Sequence, residues 1–374
     1  MGSRETLQPH VWDILLSRPQ PLLPNLETFR FSRTTLGPPF EQLLLGNARM
    51  SSTSEAAGTP RPLAVPAGLT HLSLAMTVSA TMLSRFPPEV DFTLEHLVLA
   101  GFTASDTLHR PLDHNFLPVL RSLTIYSDAV PSFKLPFPPF PGLRSLMLPS
   151  AAYINVVELL RALQSPHLES ILIHKSSGKH IYQLIAKRWS STLTSFDVDC
   201  TTLKDLTALA ECTELQTFRL TTCRTFPIDD FLVLASRWTV LRTLSIPTAS
   251  DISLAALTCL ARQFPLLIVG ELDLTHLIGT LIPPIHETPL LEHNLKQLLL
   301  HSFPPEKEVD VRLLACHLDR LFPRLDEIRY VGRTGAPVKI WTGRVAEGLR
   351  FDPNVRIWGE VLRVIFEMQD RRRI

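Results

Sequence analysis

The sequence predicts an α/β solenoid, a stack of short parallel strands joined by helices. Three observations predict it. An apolar motif recurs along most of the chain. Within the motif the last two apolar residues stand two apart, the spacing of one face of a strand. Between motifs the apolar spacing changes to three and four, the spacing of a helix face.

The motif runs apolar, two free positions, apolar, one free position, apolar. It stands at Leu26-Phe29-Phe31, Leu69-Leu72-Leu74, Leu94-Leu97-Leu99, Leu120-Leu123-Ile125, Leu143-Leu146-Leu148 and Leu168-Ile171-Ile173. It continues at Leu193-Phe196-Val198, Leu215-Phe218-Leu220, Leu241-Leu244-Ile246, Leu295-Leu298-Leu300 and Leu325-Ile328-Tyr330, with a weaker copy read at Val269-Leu272-Leu274. From Leu69 to Leu295 the starts fall 22 to 28 residues apart, inside the range of leucine-rich repeats. Ser or Thr stands before the second apolar residue again and again, as at Ser122, Ser145, Ser170, Ser195, Thr217 and Thr243. One unit cannot bury its own apolar row, so units must stack. The expected fold is a leucine-rich-repeat solenoid: a curved horseshoe with a parallel sheet on its inner face and helices and extended loops outside.

Helical spacing joins Tyr153, Val156, Val157, Leu160 and Leu163, and again Ile181, Leu184, Ile185 and Trp189. Phe231, Leu234, Ala235 and Trp238 repeat it behind Pro227, Asp229 and Asp230, which suit a helix N-terminus. Two further helices run from Leu254 to Phe264 and from Leu313 to Leu321, stopped by Pro265 and Pro323.

Two regions break the rhythm. Residues 47–68 are rich in Ser, Ala, Gly and Pro and read as a loop insertion. Residues 129–142 hold five prolines, so an extended connection is expected there instead of a helix. Residues 331–349 lack the motif, and Asn354 to Met368 reads as a helix whose Val355, Trp358, Leu362, Ile365 and Phe366 cover the last repeat. The expected organisation is a segment 1–19, a solenoid 20–330, and a C-terminal cap and basic tail 331–374 that ends on Arg371, Arg372 and Arg373.

Composition narrows the function classes. Hydrophobic residues make up 45% of the 374 and charged residues 20%, so a sizeable core is expected. Lys and Arg number 37 against 36 acidic residues, which leaves no long-range field for nucleic acid or an anionic membrane. Five cysteines without C-x-x-C spacing argue against a disulfide framework or a zinc site. No apolar run follows a positive charge at the N-terminus. The expectation is a soluble protein of the cytoplasm or nucleus.

No nucleophile elbow, metalloprotease helix or phosphate loop is present. No catalytic residue, cofactor or metal is assigned. Asp197 and Asp199 share one strand face and are the one pair that suggests a divalent metal; a solvated acidic pair is the plainer expectation. Cys200 and Cys223 stand at similar places in successive repeats and read as small buried groups. His174, His180, His286, His293 and His301 are too scattered for a motif.

Strand register supplies a stronger argument. The residues beside and between the last two apolar positions face the open side of the sheet. Tyr126, Met147, Leu172 and His174 form an amphipathic zone there, and Asp197, Asp199, Arg219, Glu271 and Asp273 a mostly acidic one. The candidate partner-binding residues are Tyr126, His174, Asp197, Asp199, Arg219 and Asp273, on the concave face.

The repeat Leu215-Gln216-Thr217-Phe218-Arg219-Leu220-Thr221-Thr222-Cys223 fits the cysteine-containing leucine-rich form, and two helices end in the same Phe-Pro, at Phe264-Pro265 and Phe322-Pro323. Over residues 20–330 the chain resembles the repeat domain of F-box/leucine-rich-repeat proteins, especially the large fungal set. The resemblance implies a substrate receptor of a cullin ubiquitin ligase, with the repeats holding the substrate. No F-box is visible ahead of the repeats, so no ligase contact is carried over; a cullin-ligase adaptor is expected only if an F-box lies outside this chain. Three readings follow: a protein-recognition module of the ligase-receptor kind, a repeat-only scaffold or adaptor, and a metal-dependent enzyme using Asp197 and Asp199.

Overall fold

The structure is a computed structural model. It describes residues 28–31, 70–77, 94–100, 118–126, 140–149, 153–174, 178–199, 202–221, 227–247, 252–272, 274, 284–300, 310–331, 337–342 and 353–373. The insertion expected at 47–68 and most of the proline-rich stretch, 129–139, lie outside the described residues. The chain divides into two compact units. The first comprises Met1–Leu168 and Leu172–Ser176, the second Glu169–Ile171 and Ser177–Ile374.

In the first unit the motifs become β1 (Thr28–Phe31), β2 (His71–Thr77), β3 (His96–Ala100), β4 (Ser122–Tyr126) and β5 (Ser145–Leu148). Each pairs in parallel with the next. Leu97, Leu123 and Leu146 are register partners and all are buried. Helix α1 (Tyr153–Ala162) follows β5, with Val156, Leu159 and Leu160 buried. Strand β6 (Ser170–Ile173) has its residues divided between the two units.

In the second unit helix α2 (Lys179–Trp189) leads to β7 (Ser195–Val198). Strands β8 (Thr217–Leu220), β9 (Thr243–Ile246), β10 (Val269–Leu272), β11 (Gln297–Leu300) and β12 (Glu327–Val331) continue the parallel pairing. The connecting helices are α3 (Ile228–Leu234), α4 (Leu254–Gln263) and α5 (Val311–Leu321). Their apolar stripes pack on the strands: Tyr182 meets Phe196 edge-on, and Phe218 lies against both Phe231 and Trp238. Two of these helices, α4 and α5, start on a side-chain cap. Ser253 accepts from the Ala256 amide at 3.1 Å, and Asp310 from that of Leu313 at 2.9 Å.

Parallel pairing, this repeat length and the return helices make the fold an α/β leucine-rich-repeat solenoid. One backbone contact recurs at nearly every step. The carbonyl just ahead of a strand accepts two successive amides from the next repeat. Arg144 and Ser145 both donate to Arg121 O, at 2.9 and 2.9 Å. Arg242 and Thr243 donate to Gln216 O, and Lys296 and Gln297 to Ile268 O. Repeats are thereby clamped at the strand starts before the ladder begins.

Aromatic side chains fill the turns below. Phe140, Trp238, Phe264 and Phe322 each stand three residues ahead of the strand's first buried leucine, and all are buried. Phe140 holds a left-handed φ of 63°, unusual for a bulky residue. The turn it starts comes close to the preceding repeat: a Cβ on Gly142 would lie 2.7 Å from Pro118 O, so only glycine fits. Ahead of β11 the position three before Leu295 is Glu292, and the ring is supplied instead by His293, one residue later. His293 Nδ1 accepts from the Leu295 amide at 2.9 Å, so its Nε2 carries the proton and donates to Phe264 O at 2.8 Å. Its ring packs edge-on against Phe322. Burial holds its pKa below the usual imidazole value, with the Phe264 carbonyl opposing. The neutral ring is thus a structural part of the turn.

Three features differ from expectation. The weak copy at Val269-Leu272-Leu274 is out of register by two residues. Val269 pairs with Thr243 and Gln297, so the true motif is Leu267-Gly270-Leu272, with glycine where its neighbours carry Leu244 and Leu298. Between β7 and β8 runs a 3₁₀ helix, Leu203–Glu211, which the sequence reading missed. Its Leu203, Leu206 and Leu209 repeat every third residue, the period at which 3₁₀ side chains align, and all three are buried. Within 331–349 the chain adds β13 (Pro337–Thr342), antiparallel to β12, which covers an otherwise open sheet edge. The expected C-terminal helix is α6 (Pro353–Arg373). It buries Trp358, Val361, Leu362 and Ile365, donates from Gln369 to Leu325 O at 3.3 Å, and pairs Arg372 with the buried Asp319. Phe366, expected to cover the last repeat with them, is half-buried.

Gly270 is buried, and a Cβ there would meet Leu295 and Leu298 at 3.4 and 3.7 Å, ordinary contact distances. Gly270→Ala is therefore expected to raise stability by ~0.4–1 kcal/mol, chiefly by restricting the unfolded chain. Urea unfolding of the two proteins measures it, and a lower midpoint for the variant would contradict the fit.

Candidate functional site

Alternation along each strand sends one set of side chains into the core and the other to the open face of the sheet. In β5, β7 and β11 the burial follows this rule residue by residue. The sequence-predicted residues that are described fall on the open set. In the first unit, Tyr126 ends β4 and is 49% exposed. His174 follows β6, is half-buried, and donates its backbone amide to Leu148 O at 3.2 Å.

In the second unit Asp197 and Arg219 are direct register partners on β7 and β8. Asp197 is half-buried and accepts from the Thr221 hydroxyl at 3.2 Å, while Arg219 is exposed. Asp199 is half-buried just past β7, and its backbone carbonyl accepts from the Tyr182 hydroxyl at 3.2 Å. Asp273 lies outside the described residues, as do His301, Cys200 and Cys223.

The register extends the row. Arg219 is opposite Ser245 on β9, Ser245 is opposite Glu271 on β10, and Glu271 is opposite Leu299 on β11. The Ser245 hydroxyl donates to the Glu271 carboxylate. On β12 the exposed side of the same row holds Arg329, whose guanidinium grips Glu327 through two bonds of 2.8 and 3.0 Å. Across successive strands the row thus reads acid, base, hydroxyl, acid, apolar, base. Two residues earlier on the same face stand Ser195, Thr217 and Thr243, small half-buried residues beside the row, in which Ser245 itself is buried.

The first unit holds a pair that the sequence reading set on the open face but did not bring together. His71 and His96 are register partners, and their rings stack with centroids 4.1 Å apart and 13° between planes. Burial lowers the pKa of His96; the His71 and Arg121 charges lower it further and Glu95 opposes them. Both occupy the position two after the first leucine of their motifs, which was the available signal.

Among the described residues no cluster of three or more His, Cys, Asp or Glu could hold a metal ion. Cys212 is buried beneath its repeat, and burial, with the nearby Glu211 charge, pushes its thiol up to about 12. Cys316 is half-buried on α5, donates to Met368 Sδ at 3.6 Å, and is also raised, first by burial. Cys259 is exposed on α4. Among the described residues no helix is long and apolar enough to cross a membrane.

No protein-family model matches the chain, and no curated protein matches it. Several solved structures are similar. One is the leucine-rich repeat-containing protein LegL7 from Legionella pneumophila, at 12% identity and TM-score 0.40 over 76% of this chain and 93% of that one. Another is an internalin, InlF, from Listeria monocytogenes, at 15% and 0.37 over 72% and 84%. A third is a chain of the Rad7 and Elc1 complex in yeast, at 16% and 0.39 over 72% and 77%.

Only the thiolate reacts with a disulfide reagent. An aromatic disulfide applied to the native protein is therefore expected to modify Cys259 quickly, and Cys212 only after denaturant is added. Peptide mapping of the modified protein checks the order; rapid native labelling of Cys212 would contradict its burial.

Proposed function

We propose that this chain is a protein-recognition module that takes a protein partner on the open face of its sheet. The row Asp197, Arg219, Ser245, Glu271 carries the reading. Charges of both signs stand there in fixed order on adjacent strands, spaced by about 4.8 Å per strand. Such a row favours a partner of complementary pattern and penalises a misplaced one. In this reading Tyr126 and His174 serve the first unit as a semi-apolar anchor. Asp197, Asp199, Arg219 and Asp273 serve the second by charge complementarity.

The narrower reading, a substrate-holding part of an F-box-type ubiquitin-ligase receptor, rests on the resemblance of the repeats at Leu215–Cys223 and of the two Phe-Pro helix ends. Co-purification of a cullin adaptor with the chain would support it. Its absence, with a partner still held, would favour a repeat-only scaffold.

The charge swap Asp197→Lys with Arg219→Glu keeps the net charge and leaves the core untouched. It is expected to reduce recovery of the native partner from cell extract at least tenfold, quantified by cross-linking and mass spectrometry, with the melting temperature unchanged. Equal recovery by both proteins would remove the partner from this face.

A further inference from the structure

A second surface lies on the edge of the second unit where β9, β10, β11 and β12 begin. Arg237, Arg262 and Arg320 stand there in last helical turns, where a cation complements the helix dipole and needs no other explanation. Arg242, Lys296 and Arg324 are different. All three are exposed, and all three sit in the connections that lead into strands, outside any helix. The clamp of backbone bonds fixes their places: Arg242 O accepts from Ile268 and Val269, and Lys296 O from Asp326 and Glu327. Arg324 donates to Asn294 Oδ1 at 2.6 Å, and Asn294 donates to Pro265 O at 3.2 Å. Asparagine is neutral, so the Arg324 charge is not cancelled by that bond. Glu292 and Asp326 are the exposed acidic groups beside them.

The same connections expose two large apolar side chains. Leu266 is 42% exposed in the turn into β10, and Leu290 is 66% exposed in the segment into β11. Leu291 donates its amide to Arg320 O at 2.8 Å, which holds that segment against the end of α5. Leucines displayed on a backbone held this firmly, beside three cations, are the composition of a docking patch and not of a solvated turn.

We propose that this edge docks an acidic, leucine-bearing protein segment. Arg242 and Lys296 stand two strands apart, about 10 Å at the usual strand spacing. An extended chain covers about that distance in three residues. Only residues two or four apart share a face of such a chain, so the fitting segment carries carboxylates at i and i+4 and a leucine at i+2 on that face. This surface is separate from the open-face row and stands whether or not that row binds a partner.

The test uses the whole chain and a fluorescein-labelled peptide of about a dozen residues, with Glu at every fourth position and Leu midway between, all on one face of the extended peptide. Fluorescence anisotropy should show saturable binding that weakens at least tenfold in Arg242→Glu with Lys296→Glu. It should also weaken several-fold in Leu266→Ser, at unchanged melting temperature. Arg219→Glu, on the open face, should leave peptide binding as it was. The proposal is overturned if the wild-type chain does not bind the peptide, or if binding survives the charge reversal. Loss of binding in Leu290→Ser and Leu266→Ser alone, without an effect of charge reversal, would equally overturn the acidic specificity. Tighter binding of a single-stranded oligonucleotide of equal charge would assign the edge to another class of ligand and overturn it too.

Discussion

The structure depends on a burial that no repeat can achieve alone. A four-residue strand such as Thr217–Leu220 offers two side chains, Phe218 and Leu220, to the core. Their cover comes from Phe196 and Leu244 on the adjacent strands and from Phe231 and Trp238 of the return segment. Stacking is therefore the condition for every other feature. The backbone is arranged to enforce it. At nearly every step the strand-start carbonyl binds two amides of the next repeat, so the spacing of repeats is set before any side chain is considered. The deviations keep this clamp. Where β10 carries Gly270 in place of a large residue, Ile268 and Val269 still bond to Arg242 O. Where the turn into β11 lacks its aromatic residue, His293 supplies both the ring and the missing backbone bond.

A core of this kind leaves two surfaces to evolve independently. The open face can vary because alternate strand residues do not enter the core; Asp197, Arg219 and Glu271 occupy such positions. The leading edge can vary because residues there contribute only their backbone to the clamp; Arg242 and Lys296 use their carbonyls and leave their side chains outside. The two surfaces have different chemistry. The open face carries both signs of charge, with Ser245 and Leu299 interrupting the row, whereas the edge joins cations to exposed leucines. The molecule's near-zero net charge conceals this division.

The strands and helices were legible because their periods differ and because leucine marks most core positions. Helices α2, α4 and α5 stand within two residues of the expected spans. What escaped the sequence did so for identifiable reasons. At β10 the central core position is Gly270, and Leu274 completed a false copy two residues on. The 3₁₀ helix at Leu203–Glu211 has a period of three, which matches neither template sought. Strand β13 pairs antiparallel at the end of the repeats and needs no motif. For the candidate site, parity alone placed Tyr126, Asp197 and Arg219 on the open strand positions. It did not reveal that Arg219 stands directly opposite Asp197, that Ser245 holds Glu271, or that His71 stacks on His96. Those facts need the register between strands, which depends on connection lengths that vary from repeat to repeat.

Mutual burial by neighbours makes a specific demand on local stability. Amide hydrogen exchange should be compared between the native protein and Phe218→Ala. Each strand here is covered by the next, so removing the ring should lower protection in β7 (Ser195–Val198) and β9 (Thr243–Ile246) together with β8. A loss confined to Thr217–Leu220, with both neighbours as protected as before, would contradict the dependence of each repeat on the next.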